Sequence, residues 1–219
     1  MRCTSCNEPI LPVVAVDIDG TLGDYHGHFI SFLEQYLGIT RSEDNYDGVE
    51  QFRDWVCRTY GISLDKFRQI KLAYRQGGMK RSMPIDEDAR RLCRAIQQAG
   101  AELWITTSRP YLRLDNIDPD THFWLDRHDI KPDGIIYGDD KYAQLNRVVG
   151  AYRVVAVLDD LVDMIELSEE LFGRKVPILR RTQYNDGVIV EQEVASLLEA
   201  RILITDRIGM WYQQNGKSE

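Results

Sequence analysis

Two carboxylates follow a hydrophobic run near the start of the chain. The segment reads Val13-Val14-Ala15-Val16-Asp17-Ile18-Asp19-Gly20-Thr21. Because a buried aspartate is costly unless it is paired or bound to a metal ion, something near Asp17 and Asp19 must offset that cost. Residues two apart on a strand point to one face, so both carboxylates can face the same crevice. Gly20 then permits the sharp chain reversal that follows.

Further polar side chains follow three other hydrophobic runs. They are Thr107, Ser108 and Arg109 at the end of the run 102–107, Lys141 after 135–137, and Asp159, Asp160 and Asp163 after 154–158. In open parallel sheets ligands bind beyond the carboxyl ends of the strands, so we expect these side chains to meet Asp17 and Asp19. Carboxylates that face one another repel unless a cation lies between them. A hard divalent ion with oxygen ligands, above all Mg²⁺, would relieve that repulsion.

Five hydrophobic runs predict strands, and the segments between them predict helices. The strands are expected at 13–18, 102–107, 135–137, 154–158 and 176–179, with helices at 84–99 and 161–172. Strands that alternate with helices form right-handed crossovers and a parallel sheet that is covered on both faces. The sequence therefore predicts an α/β fold with three layers.

One interval breaks this alternation. Residues 24–83 are rich in aromatic and charged residues, and apolar residues recur there at helical spacing, which predicts a small helical lobe inserted after the first strand. Residues 191–214 predict one long or broken helix that packs on the core or forms a dimer contact. The expected organisation is a tail at 1–11, a core at 12–23 and 84–190, the lobe at 24–83, and a C-terminal helical extension at 191–219.

The composition is that of an acidic protein with room for one full core. The 219 residues are 43% hydrophobic and carry a formal net charge of −8, which argues against non-specific binding to nucleic acids or anionic membranes. Nothing resembles a signal peptide or a membrane span, so we expect a soluble, cytoplasmic protein. Cys93 lies on an apolar helical stripe and is expected in the core. Cys3 and Cys6 have the spacing of half a zinc site, but no second pair completes it.

The residues at the strand ends resemble the four signatures of the haloacid dehalogenase superfamily of phosphotransferases. The matching segments are Asp17-Ile18-Asp19-Gly20-Thr21, Thr107 after Leu103-Trp104-Ile105-Thr106, Lys141, and Asp159-Asp160-Leu161-Val162-Asp163, in the family's order. The resemblance covers roughly residues 12–185. It implies a Rossmannoid core of the haloacid dehalogenase type, with a small helical cap inserted after the first strand.

The resemblance also implies a role for each matching residue. Asp17 would be the nucleophile and form an aspartyl-phosphate, and Asp19 would be the general acid and then the general base. Thr107 would hydrogen-bond a phosphoryl oxygen, and Lys141 would neutralise developing negative charge. Members that hydrolyse phosphate esters carry an aspartate at the position of Asp19, which favours a phosphatase.

The same resemblance implies a magnesium site. Mg²⁺ would be held by Asp17, by the backbone carbonyl of Asp19 and by Asp159. Asp160 and Asp163 would support the site by binding a metal-bound water or by orienting the lysine. Acidic residues at these two positions are equally compatible with the favourable interaction of negative charge with a helix N-terminus.

Shorter segments resemble the 5′(3′)-deoxyribonucleotidase branch of the superfamily. They are Thr107-Ser108-Arg109-Pro110, Thr121-His122-Phe123-Trp124-Leu125 and Tyr184-Asn185. This resemblance implies a (deoxy)nucleoside monophosphate as substrate, with Thr107, Ser108 and Arg109 at its phosphate. The main alternative is a polynucleotide 3′-phosphatase that acts on nucleic-acid ends along the basic edge at 174–181. A small-metabolite (sugar) phosphatase is a further alternative.

Overall fold

A parallel sheet forms the centre of the protein. The computed structural model describes residues 10–40, 46, 48, 50–110 and 113–215. Its strands are β1 (Val13–Val16), β2 (Glu102–Thr107), β3 (Gly134–Tyr137), β4 (Val154–Asp159), β5 (Pro177–Arg180) and β6 (Glu193–Val194). Their order across the sheet is β3-β2-β1-β4-β5-β6. The strand β1 therefore lies between β2 and β4, whose ends carry other candidate site residues.

Helices cover both faces of this sheet. In the described ranges they are α1 (Tyr25–Leu37), α2 (Phe52–Tyr60), α3 (Leu64–Gln76), α4 (Ala89–Gln98), α5 (Ile117–Arg127), α6 (Lys141–Val149), α7 (Val162–Phe172) and α8 (Leu197–Asn215). Successive strand residues point to opposite faces. Val14 and Val16 pack with residues of α4, α5 and α8, whereas Val13 and Ala15 pack with residues of α6 and α7. The predicted three-layer α/β fold is confirmed.

Two element boundaries near the inserted lobe differ from the prediction. Strand β1 ends at Val16 rather than at residue 18, because the carbonyl of Ile18 accepts backbone hydrogen bonds from Leu22 (3.0 Å) and Gly23 (2.9 Å) and so forms a turn. Helix α4 begins at Ala89 rather than at residue 84. The preceding residues return from the lobe, where Ile85 forms a bridge with Gly23.

The predicted helix at 191–214 is wrong at its start. Glu193–Val194 forms the sixth strand, and α8 begins only at Leu197. The N–H of Arg181 donates to the carbonyl of Val194 at 2.9 Å and so joins β6 to β5. A two-residue strand at the sheet edge is too short to leave a periodic pattern in the sequence.

The inserted lobe contains α1, α2 and α3, followed by a short 3₁₀ helix at Met79–Ser82. Its buried residues form a hydrophobic cluster of their own, separate from the two clusters that flank the sheet; they are Phe29, Leu33, Trp55, Val56, Phe67, Ile70 and Tyr74. The boundaries at 24 and 83, as those of a separate domain, stay a prediction.

Three smaller expectations concern cysteines, the C-terminal helix and membranes. Cys93 is buried in the core, whereas Cys3 and Cys6 lie outside the described residues. Trp211 is buried, and the hydroxyl of Tyr212 donates to the carbonyl of Gly100 at 2.7 Å, so this end of α8 packs on the protein's own core. A dimer contact there stays a prediction.

Among the helices of the described residues, none combines the length and the apolar character that a bilayer crossing requires.

Candidate active site

Three buried carboxylates meet at the carboxyl end of the sheet. Asp17 follows β1, and its backbone N–H donates to the carbonyl of Leu158 in β4 at 3.0 Å, which joins the two strand ends. Asp159 is the last residue of β4, and Asp160 follows it. One carboxylate oxygen from each of Asp17, Asp159 and Asp160 lies within 4.8 Å of the other two. We call these three residues the acidic cluster.

Lys141 joins two members of the acidic cluster. It is the first residue of α6, and its side chain is fully buried. Its Nζ donates to Asp17 Oδ1 at 2.6 Å and to Asp159 Oδ2 at 2.6 Å. The hydroxyl of Tyr142 donates to Asp159 at 2.5 Å. Burial opposes the charge of Lys141, but Asp159 and Asp17 outweigh it and raise the pKa of Lys141 well above its usual value.

The acidic cluster carries more negative charge than its surroundings neutralise. Burial raises the pKa of Asp17 well above its usual value; Lys141 counteracts this, while Asp159 and Asp160 add to it. Burial and the neighbouring Asp159 likewise raise the pKa of Asp160 to about 7. Buried oxygen ligands that repel one another in this way fit a hard divalent cation, because such an ion stabilises their charged form.

The buried hydroxyl of Thr107 indicates a ligand other than a cation, one that can accept a hydrogen bond. Thr107 ends β2, beside β1, and is 1% exposed. Its Oγ1 is buried and has no hydrogen-bond partner among the described residues. A buried hydroxyl without a partner is unfavourable, and native proteins keep such groups mostly where a ligand or water satisfies them. Thr106 Oγ1 is likewise buried without a hydrogen-bond partner among the described residues.

Asp19 lies apart from the acidic cluster and contacts two buried cations. Arg109 Nη2 donates to Asp19 Oδ1 at 2.7 Å, and Arg109 Nη1 donates to Thr121 Oγ1 at 3.0 Å. Lys80, from the 3₁₀ helix of the lobe, donates to Asp19 Oδ2. Lys80 and Arg109 are only 4% and 2% exposed. Burial opposes the charge of Asp19, but Arg109 and Lys80 outweigh it and lower its pKa well below the usual range.

Sequence reasoning missed Lys80. It lies in none of the matching segments and more than sixty residues from Asp19 along the chain. No spacing rule connects these positions, because the contact exists only once the lobe has folded back onto the core. Its sequence neighbours Met79 and Arg81 give no signal of burial, and lysines are ordinarily solvent-exposed.

A second set of contacts holds Asp160. Thr21 Oγ1 donates to Asp160 Oδ1 at 2.9 Å, and the hydroxyl of Tyr184 donates to Asp160 Oδ2. Asn185 Nδ2 donates to the backbone carbonyl of Asp160 at 2.8 Å. Gly20 has a φ of 102°, and a side chain there would collide with Asp160 and Tyr184. The Tyr184-Asn185 pair thus positions the acidic cluster.

Two predicted site residues lie outside the acidic cluster. Asp163 is exposed in the first turn of α7 and is not one of the three clustered carboxylates. Ser108 is half-buried and lines a cavity beside Arg109 rather than the acidic cluster itself. The structure therefore brings together Asp17, Asp159, Asp160 and Lys141.

Two cavities flank these groups. The first, of about 470 Å³, is lined by Thr21, Asp24, His26, Tyr46, Phe52, Trp55, Arg180 and Tyr184, and we call it the aromatic cleft. The second, of about 530 Å³, is lined by Arg75, Ser108, Arg109, Arg113, Tyr137, Asp139 and Asp140, and we call it the arginine cleft. Burial lowers the pKa of His26 to about 4, so its ring is neutral at physiological pH.

Comparison with known proteins identifies the fold. No model of a protein family matches the chain, and no curated protein matches it. Solved structures do match. A HAD family hydrolase from Deinococcus radiodurans R1, solved with bound phosphate and sodium, is 15% identical, with 90% of this chain and 96% of that chain covered and a TM-score of 0.61.

Two further solved structures are similar to this chain in fold. A HAD-superfamily hydrolase of subfamily IA from Geobacter sulfurreducens is 16% identical, covers 89% of this chain and 97% of its own, and has a TM-score of 0.59. CbbY from Rhodobacter sphaeroides, in complex with xylulose-1,5-bisphosphate, is 15% identical, covers 86% and 96%, and has a TM-score of 0.56. The chain has the Rossmann-like α/β fold of these hydrolases.

Proposed function

We propose that this protein is a phosphomonoesterase of the haloacid dehalogenase superfamily that works through an aspartyl-phosphate. The observation that carries the proposal is the acidic cluster at the carboxyl end of the sheet, with Lys141 bonded to Asp17 and Asp159 at 2.6 Å each. The buried Thr107 hydroxyl, which has no partner in the described part of the chain, supplies a donor for a phosphoryl oxygen. The similarity in fold to a hydrolase solved with phosphate adds support.

The donor set fits Mg²⁺. Asp17 and Asp159 would hold the ion through carboxylate oxygens and Asp19 through its backbone carbonyl, with Asp160 beside them and Asp163 as an outer contact. When bound, the ion supplies positive charge that lowers the barrier for attack on a phosphate dianion.

The side chains divide the two chemical steps between them. Asp17 attacks phosphorus, while Lys141 and Thr107 stabilise the charge on the phosphoryl oxygens. Asp19 delivers a proton to the leaving oxygen and takes one from the water that later cleaves the aspartyl-phosphate. Both oxygens of Asp19 accept hydrogen bonds from Lys80 and Arg109, so a proton on Asp19 requires that one of these contacts lengthens.

The substrate we propose is a nucleotide, with a (deoxy)nucleoside monophosphate as its simplest form. The aromatic cleft supports this, because aromatic rings there and a neutral His26 offer stacking and hydrogen bonds to a base. Residues 24–83 would act as a cap over the site. Xylulose-1,5-bisphosphate in the structurally similar CbbY favours a sugar phosphate as a second candidate.

Phosphate release from a substrate panel tests the proposal. The panel contains deoxynucleoside and ribonucleoside monophosphates, sugar phosphates and a 3′-phosphorylated oligonucleotide, each with Mg²⁺ and with EDTA. We expect release that depends on Mg²⁺ and is fastest with nucleotides. Fast release from sugar phosphates alone would overturn the nucleotide assignment, and no release from any ester would overturn the phosphomonoesterase itself.

A further inference from the structure

Three cations of the lobe and core lie on the Asp19 side of the site. Lys80 and Arg109 both bond the one carboxylate of Asp19 and are almost completely buried. Arg75 lies on α3 and lines the same cleft as Arg109. We call Arg75, Lys80 and Arg109 the cation cluster.

The cation cluster is short of negative charge. Lys80 and Arg109 share the one carboxylate of Asp19. The guanidinium of Arg75 makes no hydrogen bond or ion pair with any residue in the described part of the chain. Like charges crowded around a single carboxylate are unfavourable unless an anion joins them.

The cation cluster is firmly built into the fold. Lys80 Nζ lies 4.0 Å from the centre of the Tyr25 ring. The neighbouring Arg81 bonds the buried carboxylate of Asp120 in α5 at 2.5 Å. Asn116, also at the start of α5, donates to the backbone carbonyl of Arg75 at 2.7 Å. These contacts hold the end of α3 and the 3₁₀ helix against the core.

The arginine cleft gives an anion access to this cluster. Arg75 and Arg109 line it, and Ser108 adds a hydroxyl. Its acidic residues, Asp139 and Asp140, follow β3, and Asp140 is paired with Arg147 at 3.3 Å. Since Asp19 is the proposed proton donor to the leaving oxygen, the cleft lies on the side where the leaving group departs.

We propose that the cation cluster and the arginine cleft bind a second phosphate group, carried by the leaving group of the substrate. This rests on the proposed phosphomonoesterase activity, and it makes esters with two phosphate groups the preferred substrates, ahead of the simple monophosphates. A sugar bisphosphate, a nucleoside 3′,5′-bisphosphate and a 3′-phosphorylated strand all present that chemistry.

Paired substrates test this directly. Phosphate release is measured for thymidine 3′-monophosphate against thymidine 3′,5′-bisphosphate, for fructose 6-phosphate against fructose 1,6-bisphosphate, and for a 3′-phosphorylated oligothymidylate at several salt concentrations. We expect kcat/KM to be about tenfold higher for the doubly phosphorylated member of at least one pair, a factor worth about 1.4 kcal/mol. The preferred pair identifies the source of the second phosphate, and a steep loss with salt identifies a strand.

Arg75→Gln should reduce this preference to nearly none. The matched control is Arg68→Gln, since Arg68 is exposed on the same helix and, among the described residues, pairs only with Asp65; it should keep the preference. Equal turnover of both members of every pair by the unmodified protein, or an equal effect of the two substitutions, would overturn the inference while leaving the phosphomonoesterase intact.

A binding measurement separates the two proposals. Titration calorimetry with the Asp17→Asn variant measures the affinity for both members of each substrate pair without turnover. We expect the bisphosphate to bind about tenfold more tightly than the monophosphate. If no ester releases phosphate but the bisphosphate still binds more tightly in an Arg75-dependent way, the proposed function fails and the anion site stands. Equal affinity for both members would overturn the anion site.

Discussion

Asp17 and Asp19 are separated by one residue, yet they lie in opposite electrostatic surroundings. Asp17 faces Asp159 and Asp160 and is bonded to one ammonium, that of Lys141; burial and the two carboxylates raise its pKa although Lys141 lowers it. Asp19 faces Lys80 and Arg109 and its pKa is lowered. The difference matches the two proposals, in which a metal ion binds beside Asp17 and a phosphate group of the substrate binds beside Asp19.

The largest expected effect comes from Asp17→Asn. An amide of the same shape cannot form an aspartyl-phosphate, so we expect kcat to fall by about 10⁴-fold or more. Because the carboxylate at 17 is repelled by its neighbours, the neutral amide should leave the urea midpoint in EDTA no lower than that of the unmodified protein. Activity within tenfold of the original would contradict the nucleophile assignment.

Asp19→Asn should have a smaller effect on rate and the opposite effect on stability. We expect kcat to fall by about 10²- to 10⁴-fold through loss of general acid–base catalysis. Lys80 and Arg109 lose their carboxylate, so unfolding in urea should show a loss of about 3 kcal/mol. The double variant with Lys80→Met should regain part of it. If Asp17→Asn and Asp19→Asn unfold at the same urea concentration, the proposed electrostatic difference between the surroundings of Asp17 and Asp19 is contradicted.

The third prediction concerns Mg²⁺ affinity. Asp160→Asn should weaken Mg²⁺ binding by about 10- to 100-fold, as observed for residues that support metal ligands. Thermal unfolding across a Mg²⁺ titration measures this, because an ion that binds the folded state raises the midpoint. The matched control is Glu166→Gln, an exposed residue of α7, which should leave the affinity unchanged. An effect of Asp163→Asn as large as that of Asp160→Asn would add Asp163 to the metal site.

The smallest expected effect comes from Tyr184→Phe. The substitution removes one hydrogen bond to Asp160, which should cost about 1 kcal/mol in urea unfolding. Tyr152→Phe is the control, since that side chain is 63% exposed, and it should change stability negligibly. If Tyr184→Phe is equally neutral, Tyr184 does not hold the acidic cluster in place.

Much of the fold was predictable because buried parallel strands are continuous apolar runs. The five predicted strands occur within two residues of their expected ends, and their polar termini meet because parallel strands end at one edge. The residue types at those ends, above all Asp17 and Asp159, then indicated the chemistry. The sixth strand was missed because Glu193–Val194 has no local signal and exists only through pairing with β5.

By itself, the sequence determined the layered fold and the strand ends from which the acidic cluster is built, because apolar runs and the alternation of strands with helices can be read locally along the chain. Only the tertiary structure decided that Lys80 would reach Asp19 and that Arg75 would lie over the same crevice. Those contacts depend on how the inserted lobe packs on the core, and no pattern along the chain records a distance between separately folded surfaces.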